Sequence, residues 1–133
     1  MVMAGGVKRV LLVSLTLALV LVVATPASAA EVVYRHGTCS LGKSVYTVEF
    51  KNDFGPTLEV SAFVDTPVAG QAWLVNMRHN GKIFSSTLAT TNAQGNFEVD
   101  AHHPAKPLMA DALLVKAFNK VSGEICTARA TLS

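Results

Sequence analysis

From Tyr46 onward apolar and polar residues alternate with a period of two, the period of a strand with one buried face. In VYTVEFK, Tyr46, Val48 and Phe50 share one side, and Thr47, Glu49 and Lys51 share the other. TLEVSAFV gathers Leu58, Val60, Ala62 and Val64, while QAWLVNMRH aligns Trp73, Val75 and Met77. Trp73 therefore reads as a core residue and not as a platform for stacking a sugar. NFEVD sends Phe97 and Val99 inward, ALLVKAFN and EICTARATL continue the alternation, and EVVYR at Glu31–Arg35 is a further candidate strand. The turn clusters NDFGP and DTPVAG separate these runs. No amphipathic helix and no internal repeat interrupts the pattern.

Two hairpins set expected registers. Asn80-Gly81 in HNGK suits a type I′ turn, in which both central residues take a positive φ. Counting back from His79 opposite Lys82, Met77 meets Phe84, Val75 meets Ser86 and Trp73 meets Leu88 on the core face. Arg78 with Ile83, Asn76 with Ser85 and Leu74 with Thr87 occupy the outer face. In the last hairpin, Asn119 faces Glu124, which sets Ala117 against Cys126 and Val115 against Ala128 inside, and Phe118 beside Ile125 outside. TTNAQGNFEVD reads as a sheet corner, with Asn92 forming an Asx turn and Gly95 taking a positive φ. A calcium loop wants carboxylates at alternate positions, and this stretch has no acid until Glu98. AHHPAKPLMAD, from Ala101 to Asp111, reads as a connection because Pro104 and Pro107 do not suit a central strand.

Seven or eight short strands joined by polar turns specify an all-β fold, a two-layer antiparallel β-sandwich. The run W-x-V-x-M-x-H-N-G-K, then T-T-N-A-Q-G-N-F-E-V, then L-L-V-K-A-F-N-K-V-S-G-E-I-C-T-A resembles small exported sandwich proteins of Gram-positive bacteria. More loosely it is similar to transthyretin-like, prealbumin-like or immunoglobulin-like modules. The likeness covers about residues 71–132, rests on turn chemistry and implies a fold. It carries over no catalytic residue, because such modules share no common active site.

The N-terminus changes how composition is read. Lys8 and Arg9 precede the apolar run Val10–Ala24, and Pro26, Ala27 and Ala29 follow it, the three parts of a secretory signal. The run is short for a bilayer span. Residues 1–30 are therefore expected to form a signal-peptide helix that is removed after Ala29 or Ala30, leaving 31–133 as one β-sandwich domain. The chain has eleven Lys and Arg against nine Asp and Glu. Lys8 and Arg9 leave with the signal, so nine of each remain. A neutral domain without a basic run lacks the electrostatic footprint of a nucleic-acid binder and of a polybasic membrane anchor. Cys39 and Cys126 near opposite ends of an exported domain read as one disulfide, and the product is expected outside the cell or loosely held at the envelope.

Candidate chemistry is sparse. His102 and His103 are the strongest metal candidates, with His79 or His36 as a third ligand. Adjacent residues on an extended chain point to opposite sides, and zinc sites need three or four convergent ligands, so no metal or cofactor is assigned. G-x-S-x-G, H-E-x-x-H, the P-loop and the dinucleotide fingerprint are all absent. Glu98 and Asp100 share a strand face and read as a solvated edge rather than as a glycosidase acid pair. The expectation is a secreted, non-enzymatic protein that binds an unknown protein or envelope component. Phe118, Ile125 and Leu114 form its candidate partner patch, and Leu74 and Ile83, on the outer face of the HNGK hairpin, offer another. Two alternatives remain: a small metal-binding protein or enzyme using His102 and His103, and an inhibitor that presents HHPAKP to an extracellular hydrolase.

Overall fold

The structure is a computed structural model that describes residues 18–20, 31–52 and 55–133. The expected signal segment, 1–30, lies outside the described residues apart from 18–20. The alternating stretches form eight strands: β1 (Glu31–Thr38), β2 (Val45–Asn52), β3 (Thr57–Asp65), β4 (Ala72–His79), β5 (Lys82–Thr90), β6 (Asn96–Pro104), β7 (Asp111–Asn119) and β8 (Ile125–Leu132). They make two four-stranded antiparallel sheets, ordered β1-β2-β3-β6 and β5-β4-β7-β8. No helix among the described residues is long and apolar enough to cross a membrane.

The inward positions of both sheets make one core. Val48, Phe50, Leu58, Val60, Ala62, Val64, Phe97 and Val99 meet Trp73, Val75, Met77, Leu113, Val115, Ala117, Ala128, Ala130 and Leu132. Trp73 is fully buried and packs at a tilt on Phe97, ring centroids 5.7 Å apart. It is a core residue, as the alternation predicts.

The corners are held by the chemistry of their residues. Asn80 and Gly81 take φ of 48° and 85°, the type I′ values. Asn80 N–H donates to the Ala112 carbonyl and its Oδ1 accepts from Ala112 N–H, which fastens the hairpin tip to the start of β7. At the corner before β6, Asn92 Oδ1 accepts the N–H groups of Gln94 and Asn96. Gly95, at φ 82°, comes so close to the Thr66 carbonyl oxygen that a Cβ there would collide with it, while Gly95 C=O accepts Thr66 N–H at 2.8 Å.

Cys39 and Cys126 are bonded, with a sequence separation of 87. The bond joins the β1–β2 loop of one sheet to β8 of the other. Ser40 N–H donates to Ile125 C=O and Ile125 N–H to Ser40 Oγ, which reinforces the seam. The β7–β8 register is as expected, with Ala117 opposite Cys126, Val115 opposite Ala128 and Phe118 opposite Ile125.

Two expectations are corrected. In the β4–β5 hairpin His79 faces Lys82 and Arg78 faces Ile83, but Met77 then meets Ser85, Val75 meets Thr87, Asn76 meets Ser86 and Leu74 meets Leu88. Phe84 is an extra residue, a β-bulge, and every residue of β5 beyond it is shifted by one. Leu88 consequently lies on the outer face, 61% exposed, instead of opposite Trp73 in the core. The segment from Ala101 is also not all connection. β6 continues through His102 and His103 to Pro104, paired with β3 as far as Thr57. Pro104 is tolerated because β6 is a sheet edge and Pro104 is its last residue.

Gly95→Ala is expected to destabilise the fold by more than about 2 kcal/mol, since it combines left-handed backbone strain with a backbone collision. Removing the disulfide as Cys39→Ser/Cys126→Ser should cost about 2–5 kcal/mol, largely through the freed unfolded chain. Urea unfolding followed by circular dichroism measures both effects.

Candidate functional site

Three places concentrate polar or exposed apolar groups. The first is the histidine end of the sandwich. His79, at the end of β4, and Asp111, at the start of β7, are both buried, and His79 Nε2–H donates to Asp111 Oδ1 at 2.7 Å. The same oxygen accepts Lys106 N–H at 3.1 Å. The rings of His103 and His79 lie edge to face, centroids 5.0 Å apart, and His103 stacks on Phe84 at 4.6 Å. The bulge makes this possible, because it is Phe84 that is displaced from the β4–β5 pairing. Burial first, and then the neighbouring His79, hold the His103 imidazole below its ordinary value of 6.5.

Of the sequence candidates, His79 and His103 thus come together with Asp111. His102 sits on the opposite face of β6, paired across to Glu59. His36 lies on β1, where its Nδ1 meets Thr47 Oγ1 and its ring stacks on Tyr34. Among the described residues no three His, Cys, Asp or Glu side chains form a group able to hold a metal ion. The His79–Asp111 pair ties β4 to β7 and supports the loop through Lys106. Sequence reasoning missed it because the two residues are 32 apart, and no local motif links them.

The second place is the outer face of the β5-β4-β7-β8 sheet. The registers set Leu88 beside Leu74, Leu74 beside Phe118, and Phe118 beside Ile125. One apolar row therefore crosses all four strands. Leu114 lies four residues from Phe118 along β7, between Arg78 and Arg129, on a shallow depression of about 260 Å³ bounded by those residues, Gly81 and Thr131. Phe118, Ile125 and Leu114 were candidates from sequence. Leu88 was not, because its side depends on the bulge.

The third place is the loop from Ala105 to Ala110. Leu108 takes a positive φ of 61° and is fully exposed, and Met109 is 58% exposed. With Lys106 and Pro107 the loop borders an open cleft of about 520 Å³ that also reaches Pro56 and Ser133. The HHPAKP segment is divided by the fold, its first half in β6 and its second half in this loop.

Glu124 is also buried, beside the disulfide, and its Oε2 accepts the N–H groups of Leu41 and Lys43, each at 3.1 Å. Burial pushes this carboxyl up, but the Ser44 hydroxyl beside it and the N–H groups of Lys43, Leu41 and Ser44 outweigh that and hold it below the usual carboxylate range. The residue organises the disulfide loop. Compared with known proteins, the chain matches no family, no curated protein and no solved structure.

Two acid-sensitive steps follow from these groups. His103 has a folded-state pKa below its unfolded 6.5, so its contribution is complete above that value and declines as pH falls toward the folded pKa. Glu124 has a folded-state pKa below 4.5, so its contribution is present above 4.5 and is lost on further acidification through the lower value. Urea midpoints measured against pH should show His103→Phe flattening the upper step. Glu124→Gln should flatten the lower step and cost about 1–3 kcal/mol near neutral pH, since it weakens acceptance of two buried N–H groups.

Proposed function

We propose that this is a non-enzymatic binding module that works in an oxidising compartment, outside the cell or at its envelope, through the outer face of the β5-β4-β7-β8 sheet. The observation that carries the reading is the unbroken row Leu88, Leu74, Phe118 and Ile125. Outer sheet faces in solvent ordinarily alternate polar side chains outward, and a contiguous apolar patch rimmed by polar groups is the mark of an interaction surface. The rim is present, since Asn76, Lys116 and Thr127 form the next row and Arg78 and Arg129 the one beyond. The Cys39–Cys126 bond supports an oxidising location, and the leader-like sequence of residues 1–30 agrees with export.

A second reading rests on the loop that carries Leu108. An exposed apolar tip beside a cleft is the shape of a segment offered to the groove of an extracellular hydrolase. The two readings use different surfaces, so mutation separates them.

The purified, oxidised protein should show a raised melting temperature with its ligand in a thermal-shift screen against wall glycans, lipids and metals, because a ligand specific to the native state stabilises it by mass action. Phe118→Asp and Ile125→Asp should abolish that shift and leave the ligand-free melting temperature within a few degrees. Loss of the shift through Leu108→Asp instead would transfer the function to the loop.

A further inference from the structure

The two outer faces of the sandwich carry opposite charge. On the β5-β4-β7-β8 sheet the outward-pointing charged residues are Arg78, Lys116 and Arg129, and no Asp or Glu points outward. Asp111 is the sole acid in those strands, and it is buried against His79. On the β1-β2-β3-β6 sheet the outward charged residues are Glu49, Glu59, Asp65, Glu98 and Asp100, with Lys51 as the one Lys or Arg. Lys51 lies 4.0 Å from Glu59, and His36 and His102 share the face. Glu49, Ser61 and Asp100 follow one another across three strands, and Thr47, Phe63 and Glu98 form the adjacent row. Asp100, ahead of burial and Glu49, raises the pKa of Glu98, as expected for carboxylates crowded without a cation between them.

These charges do not neutralise one another within the molecule. Stacked sheets lie roughly 10 Å apart, and side chains on the two outer faces extend further still. Their separation exceeds the Debye length of about 10 Å at 0.1 M salt. Each face is also partly apolar. The basic face carries the Leu88–Leu74–Phe118–Ile125 row, and the acidic face carries Val32, Tyr34, Val45 and Phe63, the first three of them exposed.

We infer that the basic, apolar outer face of the β5-β4-β7-β8 sheet docks onto the acidic outer face of a second copy of this chain. The inference rests on the preceding reading of the basic face as the working surface and supplies its occupant. A small anion or a flexible polyanion would meet Arg78, Lys116 and Arg129 but leave the apolar row in water. A flat, acidic sheet face with its own exposed aromatic and aliphatic groups covers both. The contact uses a different surface on each partner, so it is heterologous and is not closed by two copies. The pair still offers one free face of each kind, acidic on the first copy and basic on the second, and association proceeds to stacks rather than stopping at a dimer.

Sedimentation velocity of the purified, oxidised protein tests this over a range of concentration and salt. The weight-average mass should rise with concentration at low ionic strength, with association weakening at least about tenfold as salt is raised into the range where the Debye length falls toward 3 Å. K116E/R129E and E98K/D100K should each be monomeric while keeping the wild-type circular dichroism spectrum and the disulfide. Mixed together, they should associate again, because the acidic face of the first meets the basic face of the second and the two reversed faces are complementary in their turn. A wild-type protein that stays monomeric at low salt overturns the inference, as does association that neither charge reversal changes, or a mixture of the two variants that fails to pair. Monomeric protein held on immobilised polyphosphate and released by K116E/R129E also overturns it, and assigns the face to a foreign polyanion. The binding reading then still stands; it falls separately if Phe118→Asp alters no association of any kind.

Discussion

On a strand the side chain reverses side at each residue, so pairing register alone decides which half of the sequence is buried. In this protein both sheets bury one face against the other, and the core exists only while eight strands keep their phase. A slip of one residue would exchange Val60 for Ser61 or Met77 for Asn76 along a whole strand. The hairpin at Asn80-Gly81, the Asn92-Gly95 corner and the Asn119–Glu124 hairpin hold that phase at three points. At each, a glycine with positive φ or an asparagine bonded to its own loop leaves the chain one way to turn.

The bulge at Phe84 is where phase is changed to an effect. It turns Phe84 toward His103, closing the side of the sandwich between β5 and β6 with stacked rings. It also carries Leu88 out of the core and beside Leu74, completing an apolar row across the sheet. A single extra residue thus contributes to packing on one side and to an exposed apolar row on the other. This coupling means that deleting the bulge would alter the surface and the core together.

The disulfide seam is the second organising feature. A covalent bond between the sheets, two hydrogen bonds between Ser40 and Ile125 and the buried Glu124 carboxylate hold the β1–β2 loop against β8. Rigidity there keeps Ile125, at the end of the apolar row, in place beside Phe118. Stability and the proposed function accordingly meet at one edge, and the opposite charges of the two outer faces extend that surface into a directional one.

Alternation and turn chemistry in the sequence by themselves determined where the strands fall, the inward residues of β2, β3, β4 and the start of β6, the turn type at Asn80-Gly81, the last register and the cysteine pair, because each depends on local chain geometry or on residues few in number. Phe118 and Ile125 were legible as a surface pair for the same reason, being neighbours across a short hairpin. Only the tertiary structure decided the Phe84 bulge, the outward turn of Leu88, the extension of β6 to Pro104, and the meeting of His79 with Asp111 and His103. Those outcomes depend on contacts between strands far apart in the chain, where the best packing of ring against ring outweighed the simplest pairing count. The opposite charge of the two faces belongs with them: each strand's charges are visible in the sequence, but which strands share a sheet is settled only when the layers assemble.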